Sequence, residues 1–476
     1  MNFFVHATPD NTKTILDLLE EQGVSLPCNC HGANACGGNQ YDFCCCAIPK
    51  ADTLVSLREH TNFSGLSLNE KPNKSILPDT LLIDIGTTTV AMVYYHAIKK
   101  TVFHSDVFPN PQISYGADVI SRIKYDVEFH THYTLKHAIC KKISEHYEQV
   151  MKMFPEIQIH QTRIGGNTTM IHLLLGMPLD GMAKSPFTPA SAIPLYHKYA
   201  DTDVLILPWL SAFIGGDVLA GLLTLDFDKR TDTCLLADLG TNGELVLCHK
   251  GKQYMTSTAA GPALEGNGLS SGCPAISGAI SDITLTTSIP RLQTIGNKLP
   301  TGICGSGAIS LLSELISHGY LSSEGILSDS FPAEGLVLAK QVNGPHIHFT
   351  REDVRQIQLA IAAIAAGIDT LCHRAGISTS DIEHAYLSGG LGYHINIEKA
   401  SRTGMLAGIE LSRIHAVGNS CLLGLANLSS DQDLTMSRIA ELQCKSEELI
   451  LAEDDFFSKR FIEHMTYGSE ISPCIP

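Results

Sequence analysis

The sequence predicts an α/β protein whose larger part is built from two related halves. A strand-like run that ends in Asp-x-Gly-Thr occurs at Leu81–Thr89 and returns at Cys234–Gly243. Each copy is followed by another apolar strand, Val90–His96 in the first half and Glu244–His249 in the second. Since strands and predicted helices also alternate later in both halves, we expect two sheets with helices packed on them.

A glycine pair follows a later strand in each half. Gly165-Gly166 precedes a predicted helix over Met170–Leu175. Gly389-Gly390 follows the strand-like His384–Leu387 and also precedes a predicted helix. A strand that leads into a helix start directs backbone N–H groups and the positive end of the helix dipole towards an anion. A close crossing of two backbones is the alternative explanation for each pair.

The residue types at the two Asp-x-Gly-Thr turns favour phosphate binding. Gly86 and Gly240 let the backbone approach an anion, because glycine has no Cβ. Successive N–H groups form an anion-binding nest, and Thr87, Thr88 and Thr241 add hydroxyl donors to it.

The aspartates of the same turns favour a magnesium ion. Asp84 and Asp238 would repel phosphate unless a cation lay between. Magnesium keeps several waters and takes one or two carboxylates together with phosphate oxygens. Two ordinary hairpins are the alternative interpretation, because Asp-x-Gly is common and Asn242-Gly243 is itself a type I′ turn signal.

With these motifs the chain resembles the superfamily of acetate and sugar kinases, heat-shock ATPases and actin. In that superfamily two ribonuclease-H-like lobes close on ATP, with an Asp-x-Gly-Thr loop from each lobe and a Gly-Gly segment near the adenosine. Further segments resemble, more narrowly, the ATP-dependent reductive activators of corrinoid proteins, over about residues 79–470. These segments are Gly116–Ile123, Gly166–Met170, Asp238–Glu244, Ala259–Gly266 and Gly302–Gly307.

The resemblance implies an activity and a site. The activity returns the cobalt of a corrinoid protein or corrinoid methyltransferase system from Co(II) to Co(I), with an electron from a low-potential donor. Asp84 and Asp238 would position magnesium and water as the catalytic residues. The implied nucleotide contacts are Gly86, Thr87, Thr88, Gly166, Asn167, Thr168, Gly240, Thr241, Asn242, Gly243, Gly389 and Gly390. The corrinoid-binding pattern Asp-x-His-x-x-Gly is missing, so any cobalamin should belong to the partner, and relatives suggest a homodimer.

The start of the chain is rich in cysteine. A strand-like segment and an amphipathic helix come first, an order that resembles the start of a plant-type 2Fe-2S ferredoxin, and thiolates are the ligands of such clusters. The candidate ligands are Cys28, Cys30, Cys36, Cys44, Cys45 and Cys46.

The spacing of these cysteines departs from the ferredoxin pattern. Asn39 holds the expected next ligand position, and no cysteine follows Cys46 until Cys140. Three interpretations stay open. Cys30 and Cys36 could hold a cluster with one or two of the cysteines at 44–46, the domain could be degenerate and free of iron, or four thiolates could bind zinc.

The length of 476 residues predicts more than one domain. We predict a small, truncated ferredoxin-like α+β domain over 1–60, a linker over 61–78, ATPase lobes over 79–225 and 226–430, and a C-terminal extension over 431–476. The extension should hold a strand at Leu449–Ala452 and a helix near Phe456–Met465.

Composition excludes several classes of protein. The formal net charge of −16 disfavours nucleic acid and anionic membranes as partners. No apolar run reaches the roughly 18 residues of a membrane span, and Leu359–Ile368 is predicted to be a packed helix. The start lacks the features of a secretion signal, so we expect a cytoplasmic protein. The P-loop pattern G-x-x-x-x-G-K-[ST] is absent from the sequence, which removes that class of ATPase.

Two other functions compete with corrinoid activation. A small-molecule kinase of the same superfamily would place phosphate on an added metabolite. A nucleotide-gated binding or metal-sensing protein would keep the cleft but carry a cysteine domain that is no longer redox-active. Phosphate on an added metabolite would identify the kinase, and a lack of iron and labile sulfide in anaerobically purified protein would favour the binding or sensing protein.

Overall fold

Two six-stranded sheets that share the order of five strands form the core of the protein. They are seen in a computed structural model, which describes residues 76–190, 195–199, 202–286, 289–340, 345–406, 408–428 and 432–467. The predicted ferredoxin-like domain, its six candidate cysteine ligands and residues 61–75 of the predicted linker lie outside the described residues.

The first sheet has the strand order β3-β2-β1-β4-β6-β5. Its strands are β1 (Thr80–Ile85), β2 (Thr89–His96), β3 (Thr101–Pro109), β4 (Gln161–Gly166), β5 (Leu195–Tyr199) and β6 (Thr202–Ile206). The first three strands are antiparallel, β4 and β6 continue the sheet in parallel, and β5 closes the edge antiparallel to β6. The helices of this lobe are α1 (Val119–Phe129), α2 (His132–Met153), α3 (Thr168–Leu175) and α4 (Gly216–Thr224).

The second half repeats this plan with insertions. Its strands are β7 (Cys234–Leu239), β8 (Gly243–His249), β9 (Lys252–Thr258), β10 (Ala279–Thr284), β11 (Arg291–Thr294), β12 (Gly302–Ile303), β13 (Leu336–Ala339), β14 (Ile347–Phe349), β15 (His384–Ser388), β16 (Ile414–Gly418) and β17 (Ser446–Glu448). The main sheet has the order β16-β15-β7-β8-β9-β17, and β10 to β14 form two small sheets beside it. The helices are α5 (Gly305–Ser317), α6 (Arg351–Ala375), α7 (Ile397–Arg402), α8 (Ser420–Asn427), α9 (Gln432–Lys445) and α10 (Asp455–Glu463).

The central strands of the two sheets are equivalent. β1 pairs antiparallel with β2 and parallel with β4, and β7 pairs in the same way with β8 and β15. In both central strands every residue is buried except the aspartate, Asp84 or Asp238, which is partly exposed. The sequence repeat is therefore a structural repeat, and it places one carboxylate at the end of each central strand.

Two helices pack closely where the lobes meet. A Cβ on Gly424 of α8 would lie 2.1 Å from the Ala220 carbonyl oxygen of α4, and a Cβ on Gly221 would lie 2.7 Å from the Ser420 hydroxyl. Arg163 on β4 also crosses to the second lobe, where it donates to the carbonyl oxygen of Leu425 at 2.7 Å. Glycine at the contact lets the two helix backbones approach each other, as only a residue without a side chain can.

The structure corrects two predicted elements. The helix expected directly after Gly389-Gly390 is a single 3-10 turn, Gly390–Tyr393. Gly389 has a φ of 88°, outside the helical range, and glycine disfavours helix, so α7 begins only after its N-cap Asn396. The strand expected at Leu449–Ala452 is replaced by the earlier strand β17. The pairing of β17 with β9 ends at Leu449, whose N–H makes the last hydrogen bond between the two strands.

The apolar segment Leu359–Ile368 lies in the packed helix α6, as predicted. This helix is 25 residues long and begins with a capping box made by Thr350 and Asp353. Its length and hydropathy would suit a membrane span, but 78% of its most apolar window is buried inside the protein. It is therefore a core helix of the second lobe.

Candidate functional site

Both Asp-x-Gly-Thr motifs form the tight turn of a hairpin. In the first turn the Gly86 N–H donates to the Thr89 carbonyl at 2.9 Å, and in the second the Gly240 N–H donates to the Asn242 carbonyl at 3.0 Å. The hairpin interpretation and the phosphate-loop interpretation thus describe the same turns. What distinguishes them is whether the two turns face each other.

The two turns do face each other across the lobes. The Thr88 and Thr241 hydroxyl oxygens are 3.4 Å apart. The Glu265 carboxylate lies between them and accepts from each hydroxyl at 2.7 Å. It also accepts from the Thr241 N–H at 3.1 Å. Residues from both halves of the chain therefore converge on one point.

A cluster of carboxylates lies beside these turns. Burial raises the pKa of Asp84, although a hydrogen bond from Asn419 opposes the rise. Burial also raises the pKa of Asp238 to about 6, with a further contribution from Asp84. Asp217 on the first turn of α4 and Glu244 on β8 have pKa values well above the ordinary range, because both are buried and both face other carboxylates of the cluster.

The carboxylate cluster lacks a protein cation. Among the described residues, no ion pair includes Asp84, Asp217, Asp238 or Glu244. The Asn419 side-chain amide donates to Asp84 at 2.7 Å. Four close acids without a basic partner cost free energy unless they take up protons or a bound cation.

The donor set fits magnesium with a nucleotide better than a metal held by protein alone. No group of three or more His, Cys, Asp or Glu side chains in the described part of the chain is arranged to hold a metal ion. Magnesium keeps several waters and uses one or two carboxylates together with phosphate oxygens, so it does not need such a group. Gly390 is exposed, and a Cβ there would meet no atom within 4 Å, so its backbone is open to approach from solvent.

The first turn is supported by a buried cation. Arg122 of α1 is fully buried and donates to the Thr87 carbonyl at 2.6 Å and to the Gly116 carbonyl at 2.8 Å. Asn167, the N-cap of α3, donates to the Thr87 hydroxyl at 2.8 Å. The segments Gly116–Ile123 and Gly166–Met170 therefore meet behind the first turn and fix its conformation.

Four of the predicted nucleotide contacts are engaged in packing. A Cβ on Gly166 would lie 2.7 Å from the Ile85 carbonyl oxygen, and a Cβ on Gly243 would lie 2.7 Å from the Thr258 hydroxyl. The Thr168 hydroxyl is buried and donates to the Ser211 carbonyl at 2.8 Å. Gly389 lies against the second turn, where its Cβ would be 2.8 Å from Asp238 Oδ1.

Several site residues were not singled out from the sequence. Asp217 follows Gly215-Gly216 at the start of α4 and after β6, so it repeats the pattern of strand, glycine pair and helix, and could have been found that way. Arg122 and Glu265 lie in segments that carry the family resemblance, but neither was given a role. Their contacts, like those of Asn419, are made with distant parts of the chain.

Family models match both halves of the chain. The model described as the RACo middle region matches residues 80–230, and the model described as the C-terminal domain of RACo, the ASKHA domain, matches residues 232–474.

Individual relatives agree with these family matches. The chain is 31% identical over 450 residues to the corrinoid activation enzyme RamQ of Eubacterium limosum, across 88% of this chain and 74% of that protein. It is 29% identical over 312 residues to a Co(II) methylated amine-specific corrinoid protein reductase of Methanosarcina barkeri, across 60% of this chain and 55% of that protein. Among solved structures, a reductive activator for a corrinoid, iron-sulfur protein is similar with a TM-score of 0.75 and 30% identity, across 82% of this chain and 66% of that one.

Proposed function

The chain belongs to the family of RACo-type reductive activators of corrinoid proteins, and from this premise we propose that it uses ATP to return a partner's corrinoid cobalt from Co(II) to Co(I). Its lobes form the ASKHA, or actin-like ATPase, fold. The relatives are named as a corrinoid activation enzyme and a corrinoid protein reductase, which supports a corrinoid protein as the partner.

The observation that carries the proposal is the meeting of the two turns. Thr88 of the first lobe and Thr241 of the second lie 3.4 Å apart beside the carboxylate cluster. A ligand held by both turns must bridge the lobes, so its binding is coupled to their relative position. Such coupling lets a nucleotide favour one conformation of the activator over another, by as much as its affinities for the two conformations differ.

The residues of the cleft take distinct roles in this proposal. Thr88, Thr241 and the N–H groups of the two glycine turns bind phosphate oxygens as donors. Asp84 and Asp238 would hold magnesium, and Gly389 and Gly390 would lie beside the nucleoside. Magnesium would supply the positive charge that the carboxylates lack and would screen them from phosphate. Arg122 and Asn167 keep the first turn in place from behind.

The electron path belongs to the cysteine-rich head in our proposal. Cys30 and Cys36, with cysteines from 44–46, would hold a 2Fe-2S cluster that receives an electron from a low-potential donor. The protein would act in the cytoplasm, as a homodimer. Iron and labile sulfide analysis of anaerobically purified protein, with a visible spectrum, tests the cluster, and protein that holds zinc or no metal would contradict it.

The ATPase proposal is tested with two alanine variants. Asp84→Ala and Asp238→Ala should each lose ATP turnover by at least about a hundredfold, because each removes a group that holds charge at the reacting phosphate. Anoxic calorimetry with Mg²⁺ and ATP measures binding, phosphate release measures turnover, and circular dichroism checks the fold.

Three outcomes would contradict this assignment. Full turnover by both variants would show that the aspartates are not catalytic. Failure of the natural protein to bind nucleotide would refute the proposed ATPase activity. Phosphate found on an added metabolite, instead of free in solution, would favour the kinase alternative.

A further inference from the structure

Glu265 occupies the point at which the two turns meet. One oxygen of its carboxylate accepts from the hydroxyls of Thr88 and Thr241, and the other accepts from the Thr241 N–H. These three bonds join a residue of the first lobe to two of the second. In the described structure this carboxylate makes the shorter bonds between the turns, beside the 3.4 Å contact of the two hydroxyls.

The backbone around Glu265 is held firmly. The short turn Pro262–Glu265 is flanked by Gly261 and Gly266, each with a φ of 78°. A Cβ on Gly266 would lie 2.0 Å from the Cys273 carbonyl oxygen, and a Cβ on Gly305 would lie 1.7 Å from the Leu264 carbonyl oxygen. The segment therefore has little freedom to shift, and the carboxylate is presented to the turns from a fixed base.

The donors that Glu265 uses are those that a phosphate would need. A carboxylate and a phosphate oxygen are both acceptors, and one hydroxyl proton cannot serve both in full. Both groups also carry negative charge, so they repel each other at short range where water is partly excluded. Glu265 and a bound phosphate therefore compete for Thr88 and Thr241.

We propose that Glu265 is an internal anion that ties the two turns together before nucleotide binds, and that a nucleotide phosphate must displace it. This inference rests on the proposed ATPase function. Nucleotide binding and loss of the Glu265 hydrogen bonds then occur together. The phosphate accepts from the threonine donors, and the Glu265 side chain leaves the space between the lobes. Because Leu264 packs directly on the start of α5 at Gly305, the backbone of this segment stays in place and only the Glu265 side chain moves.

The test compares Glu265→Gln with the natural protein in full-length form. The amide keeps the size of the side chain but loses its charge, so it holds the threonine donors less strongly. Anoxic calorimetry with Mg²⁺ and a non-hydrolysable ATP analogue should give a Kd about fivefold lower for the variant. Hydrogen exchange without nucleotide should be faster in residues 86–89 and 240–243 of the variant, because the tie between the turns is weakened.

Glu244→Gln is the matched control. It changes another carboxyl group of the same cluster to an amide. No hydrogen bond joins Glu244 to Thr88 or Thr241, although Asn242 bonds to it, so exchange in residues 86–89 should stay unchanged and affinity should rise less than for Glu265→Gln. Equal gains in affinity for both variants would mean that only overall charge matters, and would overturn the proposal. If Glu265→Gln bound nucleotide with unchanged or lower affinity while the natural protein bound it normally, the inference about Glu265 would be overturned and the ATPase proposal would stand. No binding by the natural protein would overturn this inference together with the ATPase proposal.

Discussion

The two phosphate-loop turns have nearly the same sequence but opposite charges behind them. Behind the first turn lies the guanidinium of Arg122, which donates to the Thr87 carbonyl. Beside the second lies the carboxylate of Glu265, which accepts from the N–H and hydroxyl of Thr241. In the first turn a cation satisfies the Thr87 carbonyl, and the Thr88 hydroxyl donates to Glu265. In the second turn both the N–H and the hydroxyl of Thr241 donate to Glu265, so this turn must exchange more partners before it can hold a phosphate.

The aspartates of the two turns differ in a related way. Asp84 accepts a hydrogen bond from Asn419 of the opposite lobe at 2.7 Å. Asp238 is approached by the Ser420 hydroxyl at 3.4 Å, and Ser388 also favours its charged form. Burial raises the pKa of both aspartates, but the hydrogen bonds that oppose this rise come from different residues, so equivalent positions in a repeated motif need not be equivalent in energy.

The largest effect should follow from loss of the buried cation. Arg122→Ala leaves the Thr87 and Gly116 carbonyls without donors and opens a cavity, so we expect the free energy of unfolding to fall by about 3 kcal/mol. Urea unfolding followed by fluorescence of Trp209 measures this, since Trp209 is the single tryptophan of the chain and is buried in the first lobe.

Two further variants define the origin of that effect. Lys124→Ala alters an exposed residue of the same helix and should change stability by less than about 0.5 kcal/mol. Arg122→Met keeps much of the side-chain volume and loses the donors. If Arg122→Met were as stable as the natural protein and bound nucleotide equally well, the cation would not be what fixes the first turn.

A smaller effect of opposite sign is expected at the second turn. The pKa of Asp238 is raised from 3.8 to about 6 in the folded protein. Between these pH values the folded chain holds a proton that the unfolded chain has lost, so this residue lowers stability as pH rises through the window. Asp238→Asn should therefore stabilise the nucleotide-free protein at pH 7.5 by about 1–2 kcal/mol, a value reduced for the partial exposure of the carboxylate.

The gain from Asp238→Asn should disappear at low pH. Below about pH 4 the aspartic acid of the natural protein is neutral, as the amide of the variant always is. The unfolding free energies of the two proteins should therefore converge. Asp84→Asn should gain less at pH 7.5, because the Asn419 amide already stabilises the charged form of Asp84. Urea unfolding by circular dichroism at several pH values measures these differences. Equal gains for both variants, or a gain for Asp238→Asn that persists at pH 4, would refute the difference between the aspartates.

The sequence could predict the turns because their determinants are local. Asp-x-Gly-Thr, the apolar strands around it and the glycine pair before α3 are all contiguous in the chain, and the structure confirms their elements. The opposed charges behind the turns could not be predicted in this way. Arg122 lies in an ordinary amphipathic helix, and only the folded chain brings it to Thr87 or brings Glu265 to Thr88.

The helix expected after Gly389 shows the limit of a local pattern. In both halves a strand leads into a glycine pair, but the second pair leads into a 3-10 turn that contains one further glycine, Gly392, instead of an α-helix. The first pair is followed by Asn167, which caps α3 through the Met170 N–H. The cap residue, more than the glycine pair, decides whether a helix begins there.

The smallest predicted effect isolates the bond that distinguishes Asp84. Asn419→Ser keeps an oxygen that can cap α8, but its shorter side chain does not reach Asp84, so stability at pH 7.5 should fall by about 0.5–1 kcal/mol. Asn396→Ser is the matched control, because Asn396 caps α7 and its amide meets Asp282 only at 3.4 Å. A double-mutant cycle with Asp84→Asn measures the coupling directly. Coupling near zero would mean that Asn419 does not account for the difference between the two aspartates, and that the difference must come from burial alone.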